Sequence, residues 1–200
     1  MQPRSQNNVA LDLSKVTALA VDPDHYALNT VNQLMRGFGL KDQLAAENGE
    51  AAKKILNQTK IDLVIVEAVL PDMTGADLVK WIRRHGESAV KYASVIILTG
   101  YTVAKNIESA RSSGANIVIK KPVAATALFD RIAWSAATDR AFIDTPSYVG
   151  PDRRFKQLGP PDGIGRRSTD LPPEIGDASE PNLLQSEIDS FIKPVKIKLD

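Results

Sequence analysis

Five short apolar runs alternate with five amphipathic stretches between residues 16 and 141, and few folds accept that alternation. The clearest run is Ile61 to Val66, where Ile61, Leu63, Val64, Ile65 and Val66 form the mostly β-branched pattern of a strand buried on both faces of a parallel sheet. Glu67 follows at once. Leu70-Pro71-Asp72-Met73-Thr74-Gly75 then turns the chain, because Pro71 bars a continuing strand, and Thr74 predicts an N-cap for a helix over Asp77 to Arg84. The same unit recurs along the chain. Val16 to Val21 ends on Asp22 ahead of a helix from Asp24 to Phe38, whose Leu28, Val31, Leu34, Met35 and Phe38 share one face and which Gly39 stops. Gln43 to Ala46 precedes a helix over Asn48 to Gln58. Ser94 to Leu98 ends on Thr99-Gly100 before a helix over Ala104 to Ser113. Ile117 to Ile119 ends on Lys120-Lys121-Pro122 before a last helix over Ala124 to Ala141. A parallel strand pair needs a crossover that covers a sheet face, so this order predicts an α/β fold with a doubly wound five-stranded parallel sheet. Trp81, Trp134 and Met35 sit at helical spacing among apolar neighbours and read as packing residues.

What such a sheet does is decided at its strand ends. Open α/β sheets bind ligands beyond the carboxyl edge, and there this chain places Asp22, Glu67, Thr99 and Lys121. Two carboxylates, a hydroxyl and an ammonium suit a divalent cation and a phosphoryl group, the acids holding Mg²⁺ and the other two taking phosphate oxygens. The chain has no cysteine, which excludes a disulfide framework, a thiolate zinc site and a cysteine nucleophile. Its formal net charge of +1 does not point to nucleic acid. No apolar run approaches a membrane span, and the polar start MQPRSQNNVALDLSK lacks the apolar core of a signal peptide. These features predict a cytoplasmic protein with a flexible start over residues 1–14.

The strings AVDPDH, DLVIVEAVLPDMTG, IILTG and GANIVIKKPV, in that order at successive strand ends, resemble the receiver domain of two-component response regulators, with the domain drawn over residues 15–142. The resemblance implies a flavodoxin-like sheet of receiver type. It also implies two adjacent acids after the first strand, the second a direct metal ligand, and an aspartate phosphoacceptor after the third. Those positions hold Asp22, Pro23 and Glu67. Proline offers a metal no donor atom, so a Mg²⁺ site built on Asp22 is expected to be weak or absent. Glutamate is one methylene longer than aspartate, which pushes its carboxylate toward Lys121 and loses the geometry of in-line attack. Thr99 and Lys121, the phosphate-reading positions by resemblance, are kept, while Val118 stands where receivers often place a switching aromatic ring. The expectation is a degenerate receiver: a non-catalytic bacterial signalling protein that binds a protein partner independently of phosphorylation, through the helices after the fourth and fifth strands. The alternatives are a cyclic di-GMP effector that binds its ligand through arginine pairs of the tail and a conventional phosphoaccepting response regulator. A related phosphohydrolase activity is disfavoured, because no acid nucleophile has a second acid suitably placed.

From residue 143 the composition changes. Pro146, Pro151, Pro160, Pro161, Pro172, Pro173, Pro181 and Pro194, with interspersed glycines, rule out a long regular element, so residues 143–200 are expected to form an extended tail. It contains an imperfect repeat in which Arg153-Arg154 and Arg166-Arg167 each follow a glycine turn, with Tyr148 and Phe155 flanking the first pair. Paired guanidinium forks grip phosphates and read guanine edges, and aromatic rings stack on purines. The repeat resembles arginine-rich tails of bacterial receiver-like proteins that bind cyclic di-GMP. That resemblance makes Tyr148, Asp152, Arg153, Arg154, Phe155, Arg166, Arg167 and Asp170 candidate nucleotide contacts. A solvated linker, its arginines balanced by Asp152, Asp162 and Asp170, is the plainer reading, and docking on an acidic partner is a third. Leu183 to Ile192 carries apolar residues near helical spacing and predicts a short recognition helix that folds on a partner or back on the receiver. Val195, Ile197 and Leu199 alternate as a strand would.

Overall fold

The apolar runs lie where a parallel sheet buries them. In the computed structural model, residues 12–86, 88–100, 104–137 and 140–152 are described. In chain order they form β1 (Thr17–Val21), α1 (His25–Gly37), β2 (Asp42–Ala46), α2 (Gly49–Gln58), β3 (Leu63–Glu67), α3 (Gly75–His85), a short α4 (Ser88–Lys91), β4 (Ser94–Thr99), α5 (Ala104–Ser112), β5 (Ile117–Lys120), α6 (Ala125–Ala137), β6 (Phe142–Asp144) and β7 (Val149–Pro151). The five-stranded sheet has the order β2-β1-β3-β4-β5, with every pair parallel.

Successive strand side chains point to opposite faces, and the core divides accordingly. Leu19, Val64, Val66 and Ile97 pack with Leu56 of α2, Ile82 of α3 and Ile107 of α5. Ala18, Ile65, Ile96 and Leu98 pack with Met35 of α1 and Leu128 of α6. The helix starts follow from their caps. Asp24 accepts the Tyr26 N–H at 2.8 Å, Asn48 that of Ala51 at 2.8 Å, and Thr74 that of Asp77 at 3.1 Å, which satisfies amide groups a helix end leaves unpaired. Among the described residues no helix is long and apolar enough to cross a membrane.

Three parts differ from expectation. Leu13, placed by the sequence reading in a flexible start, is 3% exposed and belongs to the α1 and α6 side of the core. The last helix is described over Ala125–Ala137, and Arg140 and Ala141, expected within it, are used elsewhere: the Arg140 guanidinium donates to the Asn116 carbonyl at 2.9 Å, and the Ala141 carbonyl accepts the Asp152 N–H at 2.7 Å. The expected irregular tail begins instead with the β6–β7 hairpin, whose antiparallel register pairs Phe142 with Pro151 and Asp144 with Val149.

Arg83 explains why the hairpin docks. Its side chain is 1% exposed, yet among the described residues it faces carbonyls and no carboxylate. Nε donates to Gly114 O at 3.0 Å, Nη1 to Lys91 O at 2.6 Å and Ala93 O at 2.8 Å, and Nη2 to Asn116 Oδ1 at 2.9 Å. The Phe142 ring of β6 lies 5.6 Å from the guanidinium carbon. Gly114, at φ +95°, lets β7 approach: a Cβ there would stand 2.3 Å from the Val149 carbonyl oxygen. One buried cation thus joins α3, α4, the start of β4, the end of α5 and, through ring and backbone contacts, the hairpin. The arginine pairs, Phe155, Asp170, the helix predicted over residues 183–192 and the strand over 195–199 lie outside the described residues.

Candidate functional site

The carboxyl edge of the sheet collects the strand-end residues. Val21 ends β1 and hands the chain to Asp22, while Glu67 ends β3, Thr99 ends β4 and Lys121 follows β5. Register holds the four positions level, since Glu67 pairs with Leu98 and Thr99 with Lys120. The backbone continues the ladder past the strands, with the Asp22 N–H on Ala46 O at 3.1 Å and the Lys121 N–H on Thr99 O at 2.8 Å. The Lys121–Pro122 peptide is cis. The structure therefore brings together all four residues that the sequence singled out.

Lys121 is the centre of the cluster. Its ammonium lies 2.5 Å from Asp22 Oδ2 and 2.5 Å from Glu67 Oε2. The side chains of Asp22 and Glu67 are 9% and 11% exposed, and that of Lys121 is 25% exposed. Burial alone would push the Lys121 pKa down, but its hydrogen bonds to the two carboxylates and their negative charge outweigh burial and raise it above the ordinary lysine value. The remaining carboxylate oxygens are also engaged. Asp22 Oδ1 accepts the Asp24 N–H at 2.9 Å, and Glu67 Oε1 accepts the Ala68 N–H at 2.7 Å. Thr99 is 1% exposed at the base of the same edge.

The loop after Glu67 is fixed from two sides. Gly75 opens α3 against the backbone of β3, where a Cβ would stand 2.3 Å from the Glu67 carbonyl oxygen. Asp72 reaches across to α2 and accepts the N–H groups of Gly49 at 2.9 Å and Glu50 at 2.8 Å, with the Gly49 bond the main reason its carboxyl is held below the usual carboxylate range. The sequence reading missed this tie, and also missed Asp22 as a second partner of Lys121. Both link residues far apart in the chain, which no local pattern encodes.

Mg²⁺ is the metal that a pocket of this type implies, and its donors can be tested against the residues present. Hard cations need several oxygen ligands. Pro23 supplies none beyond its backbone, the two acids already hold an ammonium between them, and among the described residues no three acidic or histidine side chains are gathered to hold a metal ion. The residues do not fit a Mg²⁺ site.

The tail candidates fare differently from one another. Tyr148 does not stand ready to stack on a purine: it is 7% exposed, its hydroxyl donates to Pro151 O at 2.6 Å, and it braces the hairpin from inside. Asp152 lies just beyond β7, where its N–H is bonded to Ala141 O.

A five-stranded parallel sheet with an acid, a buried hydroxyl and a lysine on its carboxyl edge defines the receiver class of signalling domain. The family model of the response regulator receiver domain matches residues 18–133, and the chain belongs to that family. Chemotaxis protein CheY-3 of Vibrio cholerae is 30% identical over 114 residues, covering 57% of this chain and 86% of that one. The sensory/regulatory protein RpfC of Xanthomonas campestris pv. campestris is 28% identical over 129 residues, which are 64% of this chain but only 18% of RpfC. Among solved structures, a putative response regulator from Chloroflexus aurantiacus superposes with a TM-score of 0.57 at 25% identity, over 62% of this chain and 100% of that one.

Proposed function

We propose that this receiver works in two-component signalling as a non-catalytic interaction module whose state does not depend on phosphorylation. The observation that carries the reading is the seat of Lys121 between Asp22 and Glu67, with Pro23 where the second acid would stand. The two anions nearest the Lys121 ammonium are both built into the chain, so a phosphoryl group would have to displace them to be read. Glu67 has one oxygen on Lys121 and the other on the Ala68 amide, so neither is poised for in-line attack, a step sensitive to displacements on the order of 1 Å. Partner binding is assigned to the surface of α5, β5 and α6, on the strength of the receiver resemblance.

The test is incubation of the full chain with a small phosphodonor and Mg²⁺, read by intact mass. No phosphoryl adduct is expected. An adduct that forms on the full chain and disappears in Glu67→Ala would return the protein to the conventional phosphoaccepting class. The cyclic di-GMP reading rests on the arginine repeat of the sequence alone, and Tyr148, buried and hydrogen-bonded to Pro151, lends it no support.

A further inference from the structure

The β6–β7 hairpin creates a surface that the family match, ending at residue 133, does not include. Between it and the end of α3 runs an open cleft of about 500 Å³, lined in part by Arg84, His85, Lys91, Asp144, Pro146 and Val149. Its charge is lopsided. Arg84 spends one Nη on the Pro146 carbonyl at 2.9 Å and is otherwise exposed; Lys91 pairs with Asp144 at 2.6 Å; His85 is exposed and stacks on Trp81. Beside the cleft stands Tyr92, one of the three large apolar side chains exposed among the described residues, at 60%. Its ring meets Phe142 edge-on at 4.6 Å.

A small free anion is a poor occupant, because the Arg83 donors are already used on carbonyls and Lys91 is paired with Asp144. A peptide that combines apolar side chains with a few acids matches both halves of the surface. The chain carries one. Residues 183–192, LLQSEIDSFI, hold Leu183, Leu184, Ile188, Phe191 and Ile192 together with Glu187 and Asp189. They follow the described hairpin by about thirty residues, a length whose covalent limit of roughly 100 Å lets the segment reach the cleft of its own chain. We propose that residues 183–192 dock in the cleft between α3 and the β6–β7 hairpin of their own chain. The segment covers Tyr92 and sets its acids against Arg84 and His85. This cleft is at the amino edge of the sheet, away from Glu67, so the inference stands independently of how that site is read.

The absence of cysteine makes the test direct. A nitroxide on Gln185→Cys in the isotope-labelled full chain should broaden the amide signals of His85, Tyr92 and Thr145 until most of their intensity is lost. Arg84→Glu with His85→Glu should abolish the broadening, as should Glu187→Lys with Asp189→Lys, and combining the two pairs should restore it. The tail pair leaves the folded domain untouched, so loss of signal cannot be blamed on misfolding. Absence of broadening, or broadening indifferent to all four charges, overturns the proposal. So does equal broadening when isotope-labelled chains without the nitroxide are mixed with unlabelled chains that carry it, which would make the occupant a second copy.

Discussion

Arg83→Ala is expected to lower the unfolding free energy by about 3–5 kcal/mol, measured by urea denaturation, a large share of the ~5–15 kcal/mol that holds an ordinary domain together. The reason lies in what is left behind. Four acceptors, on Gly114, Lys91, Ala93 and Asn116, lose an Arg83 donor; Asn116 Oδ1 keeps the Val95 N–H at 2.9 Å, while each of the others left unsatisfied costs about 1–3 kcal/mol. The simple sum exceeds the expected loss, because the space vacated by a guanidinium can admit water to some of these carbonyls. Burial pushes the Arg83 pKa down to about 10, against a smaller opposing pull from Tyr148, so the group remains charged at neutral pH and its bonds are charge-assisted. Arg83→Lys keeps the charge but cannot reach four acceptors from one ammonium. It should recover only a minor part of the loss. A loss under 1 kcal/mol in Arg83→Ala would show that the hairpin and the end of α3 are held by other contacts.

Lys121→Met should cost about 2–4 kcal/mol at neutral pH, somewhat less than removal of one partner from a fully buried pair because the lysine retains contact with solvent. Without the ammonium, Asp22 and Glu67 face one another with no cation between them. A lysine whose pKa is raised by folding contributes stability that is fully present below the unfolded value of 10.5 and is lost as pH rises through the higher folded value. Thus the lysine adds no slope between pH 6 and 9, and its contribution should fall away only toward strong alkali. Parallel urea titrations across pH measure this. A variant as stable as wild type at pH 7 would mean that the ion cluster is not what holds this edge together.

How much of this was legible in the sequence depends on the reach of each interaction. Strands β1, β3 and β4 were readable because both faces of a central parallel strand are buried, so LVIV and VIIL leave nothing for solvent, and the edge strand β5 was readable because Ile117, Val118 and Ile119 are buried as well. The meeting of Asp22, Glu67, Thr99 and Lys121 was readable for the same reason: once the strands are parallel, their ends share an edge. The hairpin was not. Three-residue strands have no period to detect, Pro151 argues against a strand, and what stabilises β7 is a buried arginine more than sixty residues earlier in the chain. Tyr148 was misjudged on the same account, since an aromatic ring beside arginines looks like a stacking platform until the fold turns it inward.

We propose that Pro23 and Glu67 leave a closed ion cluster around Lys121 in place of a metal-dependent phosphate pocket. Titrating Mg²⁺ into the full chain and into the double variant Pro23→Asp/Glu67→Asp, followed by chemical shifts at the carboxyl edge of the sheet, tests it most directly. Wild type should show no saturable shift at Asp22, Glu67 or Ala68 up to millimolar Mg²⁺, and the double variant should saturate within that range. A saturable wild-type response at those residues would contradict the account.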